Sequence, residues 1–120
     1  MKTVIIGASP NPTRYAHMAA QRLEDKGHEF VPVSIKKGEV LGKEILNIRD
    51  EPPVENVHTV TMYVSASHFE GWEGYVIGLK PKRIVFNPGS ENEVLESMAQ
   101  SAGIEVVHGC TLVMLGTGEY

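Results

Sequence analysis

The stretch from Lys2 to Arg22, K-T-V-I-I-G-A-S-P-N-P-T-R-Y-A-H-M-A-A-Q-R, leaves this chain few folds to choose from. Val4-Ile5-Ile6 is a short β-branched run of the kind that forms a fully buried parallel strand. It breaks at Gly7, crosses a small-residue loop and restarts as a helix. Asn11 is the expected cap of that helix, with Pro12 as its first residue, where a missing N–H does no harm. Ala16, Ala19, Ala20 and Leu23 then share one face, and Gly27 supplies the stop. Strand, glycine turn and helix make the first half of a βαβ unit. The helix start offers unpaired N–H groups and a positive dipole end, which suit a phosphate.

The rest of the chain repeats the alternation. His28–Val33 reads as a second strand, with Pro32 tolerable only near its end. A basic loop, Ser34–Glu39, follows; Val40–Asn47 is weakly extended, and Ile48–Asn56 is a connector holding Pro52-Pro53. Val57–Val64 is a β-branched third strand. Ser67-His68-Phe69-Glu70 matches a capping box, and Gly71, Gly74 and Gly78 predict that the helix behind it is short. Arg83–Phe86 is a fourth strand, broken by Asn87-Pro88-Gly89. Ser90-Glu91-Asn92-Glu93 is a second capping box, with Val94, Leu95, Met98 and Ala102 as the buried stripe and Gly103 as the end. Ile104–Val107 is a fifth strand, and Cys110–Leu115 is an apolar tail whose pattern fits helix and strand equally. The expectation is one α/β domain of three layers, built on a parallel sheet of about five strands with right-handed crossovers.

Ligands of such sheets sit beyond the carboxyl ends of the strands. The loops that count are therefore Gly7-Ala8-Ser9, Ser34–Lys37, Tyr63–Ser67 and Asn87–Ser90. The first is not G-x-G-x-x-G; it reads as a small phosphate cradle with Arg14 as a forked cation. The second discriminates more. A site for NAD wants a carboxylate at the end of the second strand, whereas this chain has Ser34 followed by Lys36 and Lys37. That suits a nucleotide carrying an extra ribose phosphate, as NADP and coenzyme A both do.

Other chemistries find less support. With 15 acidic against 11 basic residues the net charge is −4, which argues against nucleic acid as the main partner. A single cysteine, Cys110, excludes an internal disulfide and any CxxC pair. Five scattered histidines lack metal-ligand spacing, and no serine sits in a nucleophile elbow, so neither a metal nor a catalytic residue is expected. No apolar run approaches the roughly 20 residues that span a bilayer, and no signal peptide is visible, so a cytoplasmic location is the expectation.

Taken together, the loops resemble a known family. V-I-I-G-A-S-P-N-P-T-R-Y at Val4–Tyr15, V-L-G-K-E-I at Val40–Ile45, N-P-G-S-E-N-E at Asn87–Glu93, and G-I-E-V-V at Gly103–Val107 before Cys110 keep its order and spacing. They are similar to the small stand-alone CoA-binding proteins, relatives of the N-terminal domain of the succinyl-CoA synthetase α-subunit. The resemblance implies a Rossmann-like domain that binds coenzyme A or an acyl-CoA without chemistry of its own. By position, Gly7, Ala8, Ser9 and Arg14 would face the phosphates, and Ser34 and Lys36 the nucleotide end. Tyr63, Val64 and Ser65 would form one wall, and Asn87, Pro88 and Gly89 the other. The alternatives are an NADP-dependent reductase, or a regulatory subunit with a vestigial pocket whose Cys110–Leu115 tail contacts another copy or a partner protein.

Overall fold

In the computed structural model, which describes residues 1–120, the chain runs β1 (Thr3–Ile6), α1 (Tyr15–Asp25), β2 (Phe30–Ser34), β3 (Glu39–Val40), β4 (Lys43–Glu44) and β5 (Leu46–Asn47). It continues with β6 (Thr59–Met62), α2 (Glu73–Gly78), β7 (Arg83–Phe86), α3 (Glu93–Ser101), β8 (Glu105–His108) and α4 (Thr111–Thr117). Six strands form one parallel sheet in the order β5-β2-β1-β6-β7-β8, and β3 and β4 make a separate antiparallel hairpin. The architecture is the expected α/β Rossmann-like one, with one strand more than the pattern predicts. The extra strand is β5, whose two residues are too short to leave a periodic signal. It lies inside the segment expected to be weakly extended. The hairpin before it turns on Leu41 (φ 50°) and Gly42 (φ 83°), the positive pair that a two-residue hairpin turn requires.

Alternation along the buried strands divides the core between the two faces of the sheet. Ile5 packs with Ala16, Ala20 and Leu23 of α1 and with Leu115 of α4. Val4, Ile6, Val60, Met62, Ile84 and Phe86 pack with Val76 of α2 and with Leu95 and Ala99 of α3. The apolar tail is thus a helix, and its Leu115 is core at 3 % exposure. Pro32 sits in mid-strand, opposite Ile5. Val33 directs its carbonyl to the loop after β1, so Pro32 faces the other flank, where β5 pairing begins only at Val33. No ladder donor is lost.

Three helix starts differ from expectation. Asn11 does not cap α1: its carbonyl accepts from the Arg14 N–H at 3.0 Å and its side chain from the Thr13 N–H, closing a turn with Pro12 inside it. The helix begins three residues later, with Arg14 in the cap position. Ser90 does not cap α3, because its hydroxyl donates to the Asn87 carbonyl at 2.8 Å. Asn92 takes the role, accepting from the Leu95 N–H at 3.0 Å. The buried stripe moves accordingly to Leu95 and Ala99, leaving Val94 and Ala102 exposed. Ser67 lies inside a 3₁₀ turn, Ala66–His68, whose cap position is Ser65, and α2 is the short helix expected.

At the amino ends of the strands, far from the loops considered above, His28 and His58 lie among positive groups. Burial, then the charged amino terminus and Arg83, lowers the pKa of His28. Burial, then Arg83 and Lys82, lowers that of His58, with Glu105 acting the other way. A lowered imidazole pKa means the folded state prefers the neutral ring. Its contribution is therefore present above the unfolded value of about 6.5 and is lost as pH falls below it. Thermal melting should drop between about pH 7.5 and about pH 5, and a His28→Gln, His58→Gln double variant should drop less over the same range.

Candidate functional site

Strand order reverses around β1, since β2 follows it on one side and β6 returns on the other. The crevice beyond the carboxyl ends of these strands is where an open parallel sheet receives a ligand. Three adjoining hollows occupy it. The first, about 340 Å³, is walled by Ile6, Ile35, Ile48, Val64, Phe69 and Trp72, with Gly7, Ser34, Lys36, Tyr63, Ser65 and His68 adding a backbone floor and polar groups. The second, about 230 Å³, is bounded by Gly7, Ser9, Arg14, Tyr15, Ala16, Lys36, Tyr63, Pro88, Gly89 and Ser90. The third, about 310 Å³, is lined by Tyr15, Tyr63, Asn87, Pro88, Cys110 and Leu112. Gly7, Lys36 and Tyr63 are common to the first two hollows, and Tyr15, Tyr63 and Pro88 to the last two. Together they form one trough, apolar at both ends and cationic in the middle.

The middle is built for an anion. The N–H groups of Tyr15 and Ala16 have no partner in the protein, as the start of a helix leaves them, and that of Ser9 in the loop after β1 has none either. Arg14 and Lys36 are exposed and carry no ion pair, and no carboxylate lines either the first or the second hollow. Gly7 makes the approach possible at φ 91°, where a β-carbon would lie 2.6 Å from Val64 Cγ2 and 3.0 Å from the Tyr63 carbonyl oxygen. Only glycine fits there.

Other residues expected at the site hold it in shape. Ala8 is 1 % exposed, packs into the core and spends its N–H on the Val33 carbonyl. Ser9 accepts from the Asn11 N–H at 3.1 Å, and Ser34 from the Lys36 N–H at 3.1 Å, so each hydroxyl shapes its own loop. Asn87 is 3 % exposed; its amide donates to Thr61 Oγ1 at 2.7 Å and to the Met62 carbonyl at 2.8 Å, and accepts from the Thr111 N–H at 2.8 Å. It ties β6 to the start of α4. The Gly89 N–H is held by the Glu91 carboxylate at 3.0 Å. Lys36 borders the trough, whereas Lys37 borders a separate groove with Glu39, Glu44 and Asp50. The lysine pair therefore splits.

Trp72, half-buried against Phe69 with ring centroids 6.2 Å apart, is a wall of the first hollow. Tyr75 is core, its hydroxyl donating to the Pro52 carbonyl at 2.6 Å. The Tyr63 hydroxyl is buried close to Thr61 and Thr111 but hydrogen-bonds to neither; burial, and next the neighbouring Cys110, pushes its pKa up, so it stays a neutral phenol. Ile35, within the Ser34–Lys37 loop singled out from the sequence, and His68, in the Ser67 capping box, line the first hollow, whereas Ile48, Tyr15 and Leu112 lie outside the loops the sequence points to. Those last three come from different elements, and nothing local in the sequence marks them.

Likeness to known proteins extends over nearly the whole chain. The family model described as "CoA binding domain" matches residues 1–116. A crystal structure titled only as an uncharacterized protein is 53 % identical, with a TM-score of 0.95 over 99 % of this chain and 97 % of that one. A conserved hypothetical protein from Pyrococcus furiosus is 25 % identical, with a TM-score of 0.74 over 88 % of this chain and 90 % of that one. A protein from Thermus thermophilus, at 23 % identity and a TM-score of 0.82 over 99 % and 90 % of the two chains, shares the fold. No protein of curated function matches the chain. No helix is long and apolar enough to cross a membrane.

Proposed function

This chain belongs to the CoA-binding domain family, and from that premise we propose that it is a binding module for coenzyme A or an acyl-CoA, without catalysis of its own. The trough carries the reading. Its order of an apolar slot, a cationic cradle with free N–H groups and a second apolar chamber suits the order of adenine, phosphates and pantetheine arm. In this reading Trp72 and the isoleucines flank the base, and Lys36 stands by the ribose phosphate. Arg14 and the N–H groups of Ser9, Tyr15 and Ala16 hold the diphosphate. Tyr15, Tyr63 and Leu112 line the path of the arm. The same site without a carboxylate after β2 disfavours NAD.

The test is a thermal-shift series with coenzyme A, dephospho-CoA, NADPH and NAD at equal concentration. Coenzyme A is expected to stabilise most, by about 2.7 kcal/mol at a hundred times its dissociation constant. Dephospho-CoA should stabilise less, and Lys36→Ala should narrow that gap. Stabilisation by NADPH and not by coenzyme A would overturn the reading in favour of a reductase.

A further inference from the structure

We infer that the amino end of the sheet carries a second anion site, for a compact polyanion of the phosphate class, built on a lateral row of Lys2, His58 and Lys82. The His58 N–H bonds the Lys2 carbonyl and the Lys82 N–H the His58 carbonyl, each at 3.0 Å. The three residues therefore stand side by side at the starts of β1, β6 and β7, each one residue before the paired row Thr3, Thr59 and Arg83. Neighbouring strands lie about 4.8 Å apart and side chains alternate along them, so all three leave on one face of the sheet. They meet in one groove of about 740 Å³, which the end of α2 and the segment 54–57 also border. The trough lies at the opposite end of the same strands, so the inference does not depend on the CoA reading.

The row supplies fixed donors as well as charge. The Thr59 hydroxyl is fully buried and has two partners, Arg83 Nε and His58 Nδ1, both at 2.8 Å. Arg83 can only donate, so the hydroxyl hydrogen goes to Nδ1 and the neutral ring carries its proton on Nε2. That N–H has no partner in the protein and can meet an anion without a change of charge. Burial, then Arg83 and Lys82, keeps the imidazole neutral. Lys80 and Lys82 are exposed and form no ion pair. Lys2 donates to the Glu55 carbonyl at 2.8 Å and stands 3.9 Å from the Glu29 carboxylate. Glu55 is the one carboxylate in the lining, and it pairs with no cation. The N–H groups of Asn56 and Val57 border the groove without a partner, although Val57 is only 5 % exposed. Donors thus arrive from three strand starts and a loop, an array that suits the several oxygens of a phosphate better than a single carboxylate.

Titration of the full chain with inorganic pyrophosphate, followed by amide NMR shifts at constant ionic strength, tests the assignment. The amides of Lys2, Asn56, Val57, His58 and Lys82 should shift together and saturate. Those of Ser9, Tyr15 and Ala16 report separately on any pyrophosphate that enters the trough. The double variant Lys80→Gln, Lys82→Gln should weaken binding at the amino end about tenfold and leave the response at the trough unchanged. His58→Phe, which removes the Nε2 donor, should weaken it about three- to fivefold, and His58→Gln should recover part of that loss. Shifts that grow without saturating, or that chloride reproduces, would mean a diffuse positive field and overturn the site. Saturation confined to the trough amides would overturn it as well. A loss in the lysine variant with none in His58→Phe would show that charge alone attracts the anion, and the built row would be refuted.

Discussion

Replacing Gly7 by alanine should lower stability by about 2–4 kcal/mol, from left-handed backbone strain and overpacking acting together. The backbone there has φ 91°, and the new methyl would sit 2.6 Å from Val64 Cγ2 and 3.0 Å from the Tyr63 carbonyl oxygen. The valine methyl can swing aside; the carbonyl cannot, because the Tyr63 N–H is bonded to the Ile6 carbonyl and holds that segment against β1. Gly42→Ala is the matched control, with φ 83° and open space around the position. It should cost about 1–2 kcal/mol, backbone strain alone. Urea unfolding of the two variants separates collision from strain. Equal losses would show that the loop yields freely. Gly7→Ala should also abolish coenzyme A binding in the surviving folded fraction, since Gly7 borders both the slot and the cradle.

Asn87→Asp should be the most damaging isosteric change in the chain, at about 3 kcal/mol or more, the scale of an uncompensated buried charge. The lost amide hydrogens serve Thr61 Oγ1 and the Met62 carbonyl. A carboxylate oxygen placed there meets the carbonyl lone pairs instead, while the other oxygen keeps the Thr111 N–H. Protonation restores one donor. The deficit relative to the unaltered protein should therefore shrink as pH is lowered from about 8 to about 5, because burial raises a carboxyl pKa. Asn87→Ala should lose about 2–3 kcal/mol with no such pH dependence. Melting curves of both variants, each referenced to the parent at the same pH, decide the matter. A pH-independent deficit for Asn87→Asp would mean water reaches the site.

Much of this was legible in the residues because the strongest signals were also the ones tertiary packing used. Val4-Ile5-Ile6 is buried as the pattern predicts, and Ala16, Ala20 and Leu23 face the sheet. The cap assignments failed where two local structures compete for one side chain. Pro12 suits the second place of a turn as well as the first turn of a helix, and the bond from the Arg14 N–H to the Asn11 carbonyl decides for the turn. Ser90 is drawn off by Asn87, which frees Asn92 to cap α3. At the site, Gly7, Arg14 and Lys36 could be found from a loop's place after a strand. Whether Lys37 joined them could not, because it depends on which way the chain leaves β2 toward the hairpin. Ile48 and His68 meet across a hollow only because β5 and β6 lie on opposite sides of β1.

The central place of β1 has a consequence for how occupancy can be read. Thr3 pairs with Phe30 on one side and with Thr59 on the other. The trough is bounded by loops that follow β1, β2, β6 and β7, together with Cys110 and Leu112 beyond β8. Neither half of the sequence owns a wall and its opposite. No fragment that stops short of α4 can present the whole trough. In the proposed reading a nucleotide alone needs only the first two hollows, lined from Ile6 to Ser90, while the full coenzyme also meets Cys110 and Leu112. Retention on an immobilised coenzyme, compared with retention on an immobilised nucleotide, then reports whether α4 is docked.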